Sequence, residues 1–252
     1  MQLTFHTFII VCPLLFLAGL VDAIGGGGGL ISLPAYLFAG LPVHSAIATN
    51  KLSSSCGTAL STVRYIRNGL VSFRLAMPSV LCAVLGSSAG ARCSLMADEQ
   101  ILKYILFAVL PAAAFFVLNR HLFPDNEETD LVPDKKMLLT AVTAAFVIGF
   151  YDGFYGPGTG TFLIIAFTVF AKMGPAHANA HTKVINLTTN ITSLAVFLIH
   201  GQVIILLGLI AAAFNMAGNY VGSGLALSRG TKIIRPVILA VLALLFVKLL
   251  VD

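Results

Sequence analysis

The feature that most constrains this chain is a run of five glycines inside an apolar segment. The run follows Asp22, in the sequence DAIGGGGG that ends at Gly29. Each glycine in a helix interior costs about 1 kcal/mol relative to alanine, so the run predicts a break in a helix. Backbone amides freed in hydrocarbon are tolerated only where they face protein or a water-filled cavity. The break therefore indicates a buried site within a membrane-spanning segment.

The composition places this segment, and the rest of the chain, in a lipid bilayer. Hydrophobic residues make up 58% of the chain and charged residues only 10%, whereas a soluble domain has about 25% charged residues. The charged residues are spaced so that about eight apolar stretches of about 20 residues fit between them. The net charge of +5 then reports which loops face the cytoplasm, and it gives no support to a nucleic-acid partner. We expect an all-α integral membrane protein with one transmembrane domain over 1–252.

The second half of the chain repeats the first. A second glycine-rich stretch, Asp152 to Gly160, reads DGFYGPGTG. When the halves are aligned on these stretches, Asp22 matches Asp152, and a small shift in register further along then matches Lys51 with Lys183. Each half contains about four long spans and one short or broken segment. The two repeats and the loop that joins them are 5–119, 137–251 and 120–136.

The charges of the loops predict that the two repeats are inverted. The turn after the first polar run carries Arg64, Arg67 and Arg74, whereas the equivalent turn at 200–202 has no formal charge. One span later the excess of basic residues lies in the second half, so equivalent loops face opposite sides by the positive-inside rule. Inversion requires ten crossings, with both termini outside and with two short segments that cross. The alternative is eight spans in parallel repeats with these segments re-entrant. The short segments are 30–41 and 162–170.

The two equivalent lysines are the first candidates for substrate binding. Lys51 and Lys183 lie inside runs rich in hydroxyl and amide side chains. A lysine at membrane depth costs about 2.5–3.5 kcal/mol on insertion scales and usually lines a cavity or finds a partner. The alternative is that each lysine snorkels to an interface. Recurrence in both halves favours a role as anion-facing charges. The polar neighbours assigned to the same site are Asn50, Ser54, Thr182 and Asn186.

The glycine breaks are expected to face the lysines, because free amides at a broken helix bind oxyanions. The alternative is that these glycines only allow close helix packing, which is the preferred role of Gly86, Gly90, Gly218 and Gly222. Asp22 and Asp152 each precede one of the two breaks. They could act as proton carriers, as counter-ions for the lysines or as helix caps. The glycines assigned to the substrate site are Gly26, Gly27, Gly28, Gly156 and Gly158.

Other chemistry has little support in the sequence. His177 and His181 lie four residues apart and could hold a metal ion, but no carboxylate between or near them completes such a site. No serine lies in a GxSxG elbow, and no lysine follows a phosphate-binding glycine loop. We therefore expect no catalytic residue, no metal and no cofactor, and the chain is not expected to be an enzyme.

The chain contains two copies of one pattern: a glycine-rich break, a short segment and a polar run with an A-x-A core. This pattern resembles that of the TauE/SafE family, also called the sulfite exporter or TSUP family. The glycine motif of the family falls on Gly25 to Gly29 and, interrupted by Pro157 and Thr159, on 156–160. Its polar segment falls on 48–51 and 180–183. The resemblance implies a multi-pass permease of the prokaryotic cytoplasmic membrane for small sulfur-containing anions such as sulfite, sulfonates and sulfoacetate.

The favoured hypothesis is a secondary transporter of such an anion, in which coupling is either to protons through Asp22 or Asp152 or absent. Alternatives are an anion channel with the same site and a non-transporting membrane assembly or sensor subunit whose glycines serve only packing. The expected partners are a small anionic substrate and the lipid bilayer. The sequence leaves open whether the chain forms a homo-oligomer.

Overall fold

A computed structural model describes residues 5–98, 100, 104, 133–229 and 236, and within these residues it contains helices and no strands. The predicted spans at 101–118 and up to Val251, and most of the loop 120–136, lie outside the described residues. A π-helix, Ala166–Phe170, directly follows the helix Thr159–Ile165. The helices are α1 Phe5–Gly25, α2 Gly29–Phe38, α3 Val43–Arg67, α4 Phe73–Met96, α5 Lys135–Phe154, α6 Thr159–Ile165, α7 Pro175–Ile199 and α8 Ile205–Arg229.

The described helices confirm the prediction of an all-α integral membrane protein. Five of them, α1, α4, α5, α7 and α8, are long and apolar enough to cross a bilayer. Helix α3 has 25 residues, a length that spans the hydrocarbon core, but its polar side chains keep it out of that group. Those side chains, Lys51 and Thr58 among them, are buried inside the protein. Polar residues in the membrane are tolerated in this way, because they face other helices and not lipid.

The first glycine break is shorter than the sequence predicts. Gly25 still belongs to α1 and Gly29 already belongs to α2, so only three glycines lie outside helices. Gly26 has a φ of +77°, in the left-handed region that turns the chain out of α1. The second break has the same character, with Gly156 at φ +99° and Gly158 at φ +86°. Glycine occupies this region without the cost that a Cβ imposes.

The four glycines assigned to helix packing all lie at close contacts between the two halves. A Cβ added at Gly86 would overlap the carbonyl oxygen of Phe146, and one added at Gly90 would overlap that of Phe150. Helices α4 and α5 therefore approach through their backbones, as small residues allow in membranes. The packing role predicted for this glycine pair is confirmed.

Helices α8 and α1 make the equivalent contact. A Cβ at Gly218 would overlap the carbonyl oxygen of Phe16, and one at Gly222 would overlap that of Leu20. These four residues are the counterparts, in the alignment of the two halves, of the four that form the α4–α5 contact. The halves thus interlock, because the first helix of each packs against the last described helix of the other.

The two glycine breaks meet at the centre of this arrangement. A Cβ added at either Gly26 or Gly160 would overlap the backbone of the other glycine. The hydroxyl of Thr161 donates a hydrogen bond of 3.2 Å to the carbonyl oxygen of Gly25. The breaks therefore play a packing role, since the two chain segments could not approach so closely with side chains between them.

Candidate functional site

A buried ion pair joins the halves beside the crossed breaks. The ammonium Nζ of Lys51, on α3, lies 2.8 Å from Oδ2 of Asp152, near the end of α5. The two side chains are 2% and 3% exposed. A snorkelling lysine would place its ammonium in the exposed membrane interface, whereas that of Lys51 is buried and paired, so the snorkelling alternative is wrong for this residue.

A second ion pair mirrors the first. Nζ of Lys183, on α7, lies 3.0 Å from Oδ2 of Asp22, on α1, and also donates to the backbone carbonyl oxygen of Asp22. The hydroxyl of Thr58 donates to the same carboxylate at 3.5 Å. Lys183 is fully buried, so snorkelling is excluded for it too.

Each lysine therefore has as counter-ion the aspartate of the other half. Of the three roles considered for Asp22 and Asp152, this is the one in which the structure places them. Two charges taken out of water are tolerated only when they compensate each other. Removal of one partner from a buried ion pair costs about 3–5 kcal/mol, because the other charge is left uncompensated.

A small polar cavity lies between the ion pairs and the glycine breaks. About 20 Å³ of it is open to the centre of a water molecule, which is room for about one water. In this arrangement, which we call the closed conformation, the space is too small for an oxyanion with several heavy atoms. The lining residues are Asp22, Gly26, Gly29, Asn50, Lys51, Ser54, Thr58, Asp152, Gly156, Thr159, Gly160, Asn186 and Asn190.

Most residues assigned to the site from sequence line this cavity, and five do not. Lys183 lies behind Asp22, which separates it from the space. Thr182 is fully buried, and its hydroxyl has no hydrogen-bond partner within the described residues. The remaining three are glycines of the breaks. Gly28 packs against the side chain of Asp22, Gly158 takes a turn conformation, and Gly27 is also absent from the lining.

Sequence analysis missed five lining residues, and helical spacing would have found two of them. Thr58 follows Ser54 by four residues on α3, and Asn190 follows Asn186 by four on α7. Residues four apart lie on the same face of a helix, so each continues a line of polar side chains toward the cavity. The other three, in or next to the breaks, are Gly29, Thr159 and Gly160.

The breaks also bring backbone amides to the cavity. Gly29 and Gly160 lie in the first turns of α2 and α6, where a backbone amide has no carbonyl partner within its own helix, and both glycines line the space. Each break interrupts the ladder in which an amide bonds to a carbonyl four residues earlier. These amides are donors that a bound oxyanion would satisfy.

The two histidines hold a loop and are not arranged as metal ligands. His181 accepts a hydrogen bond of 3.2 Å from the amide of Ser72 at Nε2, and its Nδ1 lies 3.0 Å from the carbonyl oxygen of His177. Nδ1 of His177 lies 3.0 Å from the carbonyl oxygen of Leu70. Both ring nitrogens of His181 are therefore engaged with backbone. The part of the chain that the structure describes contains no group of three metal-binding side chains.

The same tie exists in the other half with a different side chain. The amide of Ile204 donates a hydrogen bond of 3.1 Å to the hydroxyl of Thr49. In the alignment of the two halves, Thr49 matches His181 and Ile204 matches Ser72. The turn that follows each long polar helix is thus fixed to the polar helix of the opposite half.

Comparison with known proteins adds a family and several relatives. The family model described as sulfite exporter TauE/SafE matches residues 11–249. The probable membrane transporter protein ORF9 of Sinorhizobium sp. is 35% identical over 252 residues, which cover 100% of this chain and 95% of that protein. The probable membrane transporter protein YfcA of Escherichia coli K12 is 36% identical and covers 99% of this chain and 94% of its own length. A probable membrane transporter protein of Haemophilus influenzae is 32% identical, with 94% and 92% covered. No solved structure matches the chain.

Proposed function

Since this chain belongs to the sulfite exporter TauE/SafE family of membrane transporters, we propose that it carries a small sulfur-containing oxyanion across the cytoplasmic membrane. Sulfite, a sulfonate or sulfoacetate is the expected substrate, and transport is secondary and coupled to protons. This proposal rests on one observation. Two buried lysine–aspartate ion pairs connect the halves beside a single polar cavity.

The carboxylate of Asp152 occupies the place that a substrate oxyanion would take. It lies against the ammonium of Lys51 in the closed conformation, and an incoming oxyanion offers the same negatively charged oxygen atoms. The substrate would also accept hydrogen bonds from the side-chain amides of Asn50 and Asn186 and from the backbone amide of Gly29. Charge-assisted hydrogen bonds of this kind are about twice as strong as neutral ones.

The balance of charge at the site favours entry of a proton with the anion. In the described part of the chain, two lysines and two aspartates cancel at the cavity. A monoanion alone would bring an uncompensated charge into a space with little water, at a cost of several kcal/mol. A proton on the carboxylate of Asp152 or Asp22 restores neutrality, and a proton on Asp152 also releases Lys51 for the substrate. One proton then accompanies each negative charge of the substrate.

Transport needs a larger cavity than the closed conformation offers. The ion pairs connect the two halves, and their exchange for lysine–substrate contacts would loosen that connection. The repeats could then rock against each other and open the site to one side of the membrane at a time. In this mechanism the aspartates act as counter-ions when the site is empty and as proton carriers when it is loaded.

The first test is thermal stabilisation of the purified protein by sulfite, thiosulfate, sulfoacetate, taurine, sulfate, phosphate and acetate. A ligand at 100 times its dissociation constant adds about 2.7 kcal/mol to the free energy of unfolding, which raises the Tm by roughly 5–10 °C for a chain of this size. We expect one sulfur oxyanion to stand out. A flat panel would argue against this substrate class.

Transport itself is measured in proteoliposomes with the anion that stabilises best. An acidic outside buffer should drive accumulation, and Lys51→Ala should abolish it, whereas Lys136→Gln, at an exposed lysine, should transport normally. Accumulation that ignores the pH gradient would refute proton coupling. Counterflow by unlabelled substrate identifies a carrier, and its absence with persistent flux would identify a channel.

A further inference from the structure

A groove on the surface of the protein runs between α3 and α8, and different residues of α3 line this groove and the polar cavity. Its volume is about 530 Å³, within the range of small-molecule sites. The walls are mostly apolar, with Ala59, Leu60 and Val63 on α3 and Met216 on α8, and Arg64 and Arg67 lie toward the C-terminal end of α3. Val63 is 46% exposed and Met216 37% exposed. In a membrane protein such side chains face lipid and not water.

The depth of the groove matches one leaflet of the bilayer. On α3 its lining extends from Cys56 to Arg67, which is about 16 Å at the rise of an α-helix. The hydrocarbon core is about 30 Å thick, so one leaflet is about as deep as the whole lining on α3. The apolar part of that lining, from Cys56 to Val63, is about 10 Å long. Arg67 is the last residue of α3. The basic end therefore lies where lipid headgroups begin.

The guanidinium of Arg64 is fixed at that end. Its Nη1 donates to the hydroxyl of Ser223 at 3.0 Å and to the carbonyl oxygen of Tyr220. Its Cζ lies 4.6 Å from the centre of the Tyr220 ring, the geometry of a cation–π contact. Both hydrogen bonds use Nη1, so Nη2 remains to donate to a ligand. A side chain held in this way loses little conformational entropy when a ligand binds.

No anion of the protein neutralises these two arginines within the described residues, where the only ion pairs are those of the two lysines. The equivalent positions in the second half, in the same alignment of the repeats, are Val196 and Ile199. The basic end is thus a property of one half only. It lies next to the loop that the positive-inside rule assigns to the cytoplasm, where the leaflet carries anionic lipids.

We propose that this groove binds an anionic phospholipid of the cytoplasmic leaflet, with its phosphate on Arg64 and Arg67 and one acyl chain between α3 and α8. The apolar walls fit the acyl chain. The guanidinium groups, which have no ion-pair partner among the described residues, fit the phosphate, which arginine binds through paired hydrogen bonds. A zwitterionic lipid of the same chain length fits the walls equally well but brings no net charge to the arginines. The site should therefore select by headgroup.

The test is native mass spectrometry of the purified protein with equal amounts of phosphatidylglycerol and phosphatidylcholine that have the same acyl chains. We expect phosphatidylglycerol to remain bound preferentially. Arg67→Gln should lower this preference about fivefold and Arg64→Gln with Arg67→Gln about 30-fold, since each arginine near a lipid surface contributes a factor of about five. The matched control is Arg74→Gln, at an exposed arginine outside the groove, which should keep the preference.

The apolar part is tested separately. Ala59→Phe puts a ring into the groove, so it should reduce the binding of both lipids, and inorganic phosphate should not compete with either. Three outcomes would overturn the proposal: equal retention of the two lipids, a loss with Arg74→Gln as large as with the double variant, and a complex of two chains without lipid. The last outcome would assign the groove to a second copy of the chain.

Discussion

The ion pair between Lys51 and Asp152 predicts a specific pattern of stability in three variants. Lys51→Met leaves a buried carboxylate without its partner, and Asp152→Asn leaves a buried ammonium. Each should lower the free energy of unfolding by about 3–5 kcal/mol. The double variant removes both charges and retains side chains of similar size. It should unfold close to the wild type, because replacement of a buried ion pair by neutral groups is often neutral or stabilising.

These values translate into measurable unfolding temperatures. In a chain of this size 1 kcal/mol shifts the Tm by about 2–4 °C, so each single variant should lose about 6–20 °C and the double variant should recover most of that loss. The buried thiol of Cys12, on α1, provides the assay once the three less buried cysteines, Cys56, Cys82 and Cys93, are replaced by alanine. A thiol-reactive fluorophore then labels Cys12 when the protein unfolds in detergent. The double variant should nevertheless fail to transport, which separates folding from function.

One result would refute this reasoning directly. If the double variant loses as much stability as Lys51→Met and Asp152→Asn lose together, the two side chains are not coupled. A matched exchange, Lys51→Asp with Asp152→Lys, provides a second check. It keeps one positive and one negative charge at the same place, so it should be more stable than either single variant.

Three further predictions concern other contacts. Gly26→Ala should prevent folding, because the added Cβ would overlap the second break and the residue has a left-handed conformation. Gly69→Ala, also at positive φ but in open space, should cost only about 1–2 kcal/mol. Equal losses of detergent-soluble folded protein in the two variants would refute the crossing of the breaks. Cysteines introduced at Asn68 and Gln202 should be labelled from opposite sides of the membrane if the repeats are inverted, and labelling from one side would favour parallel repeats. Thr49→Val removes the acceptor of the half-buried amide of Ile204 and should lower the free energy of unfolding by about 1 kcal/mol, whereas Thr49→Ser should not.

Much of the fold could be predicted because hydropathy alone specifies helices in lipid. Hydropathy predicts spans over about 5–24 and 43–66, and the observed α1 and α3 begin at these residues and end one residue later. For the span predicted over about 75–91, α4 begins two residues earlier and ends five residues later. The glycine break was harder, since propensity predicts only that glycine disfavours a helix. Gly25 and Gly29 stay helical because neighbouring backbone, and not local propensity, decides where the chain turns.

The sequence identified the charged residues of the site but not their pairing. Local sequence places Lys51 in the first polar run and Asp152 before the second break, with no indication of which aspartate each lysine contacts. The pairing depends on how the halves interlock, through contacts such as that of Gly90 with α5. Such contacts join residues far apart in the chain, and a hydrophobic period does not report them. The near closure of the cavity likewise depends on the conformation and has no signal in the sequence.

The two ion pairs are related by the repeat but differ in what they hold. Lys51 faces the cavity, and its only ionic contact among the described residues is with the side chain of Asp152. Lys183 is shielded from the cavity and donates both to the carboxylate and to the backbone carbonyl oxygen of Asp22, four residues before Gly26. A carbonyl oxygen cannot be protonated or exchanged at neutral pH, so the second pair also fixes the backbone at the start of the first break. The exchange of carboxylate for substrate proposed above is therefore easier at Lys51. The two halves thus have different roles, with Lys51 available to the substrate and Lys183 holding the backbone of the first break.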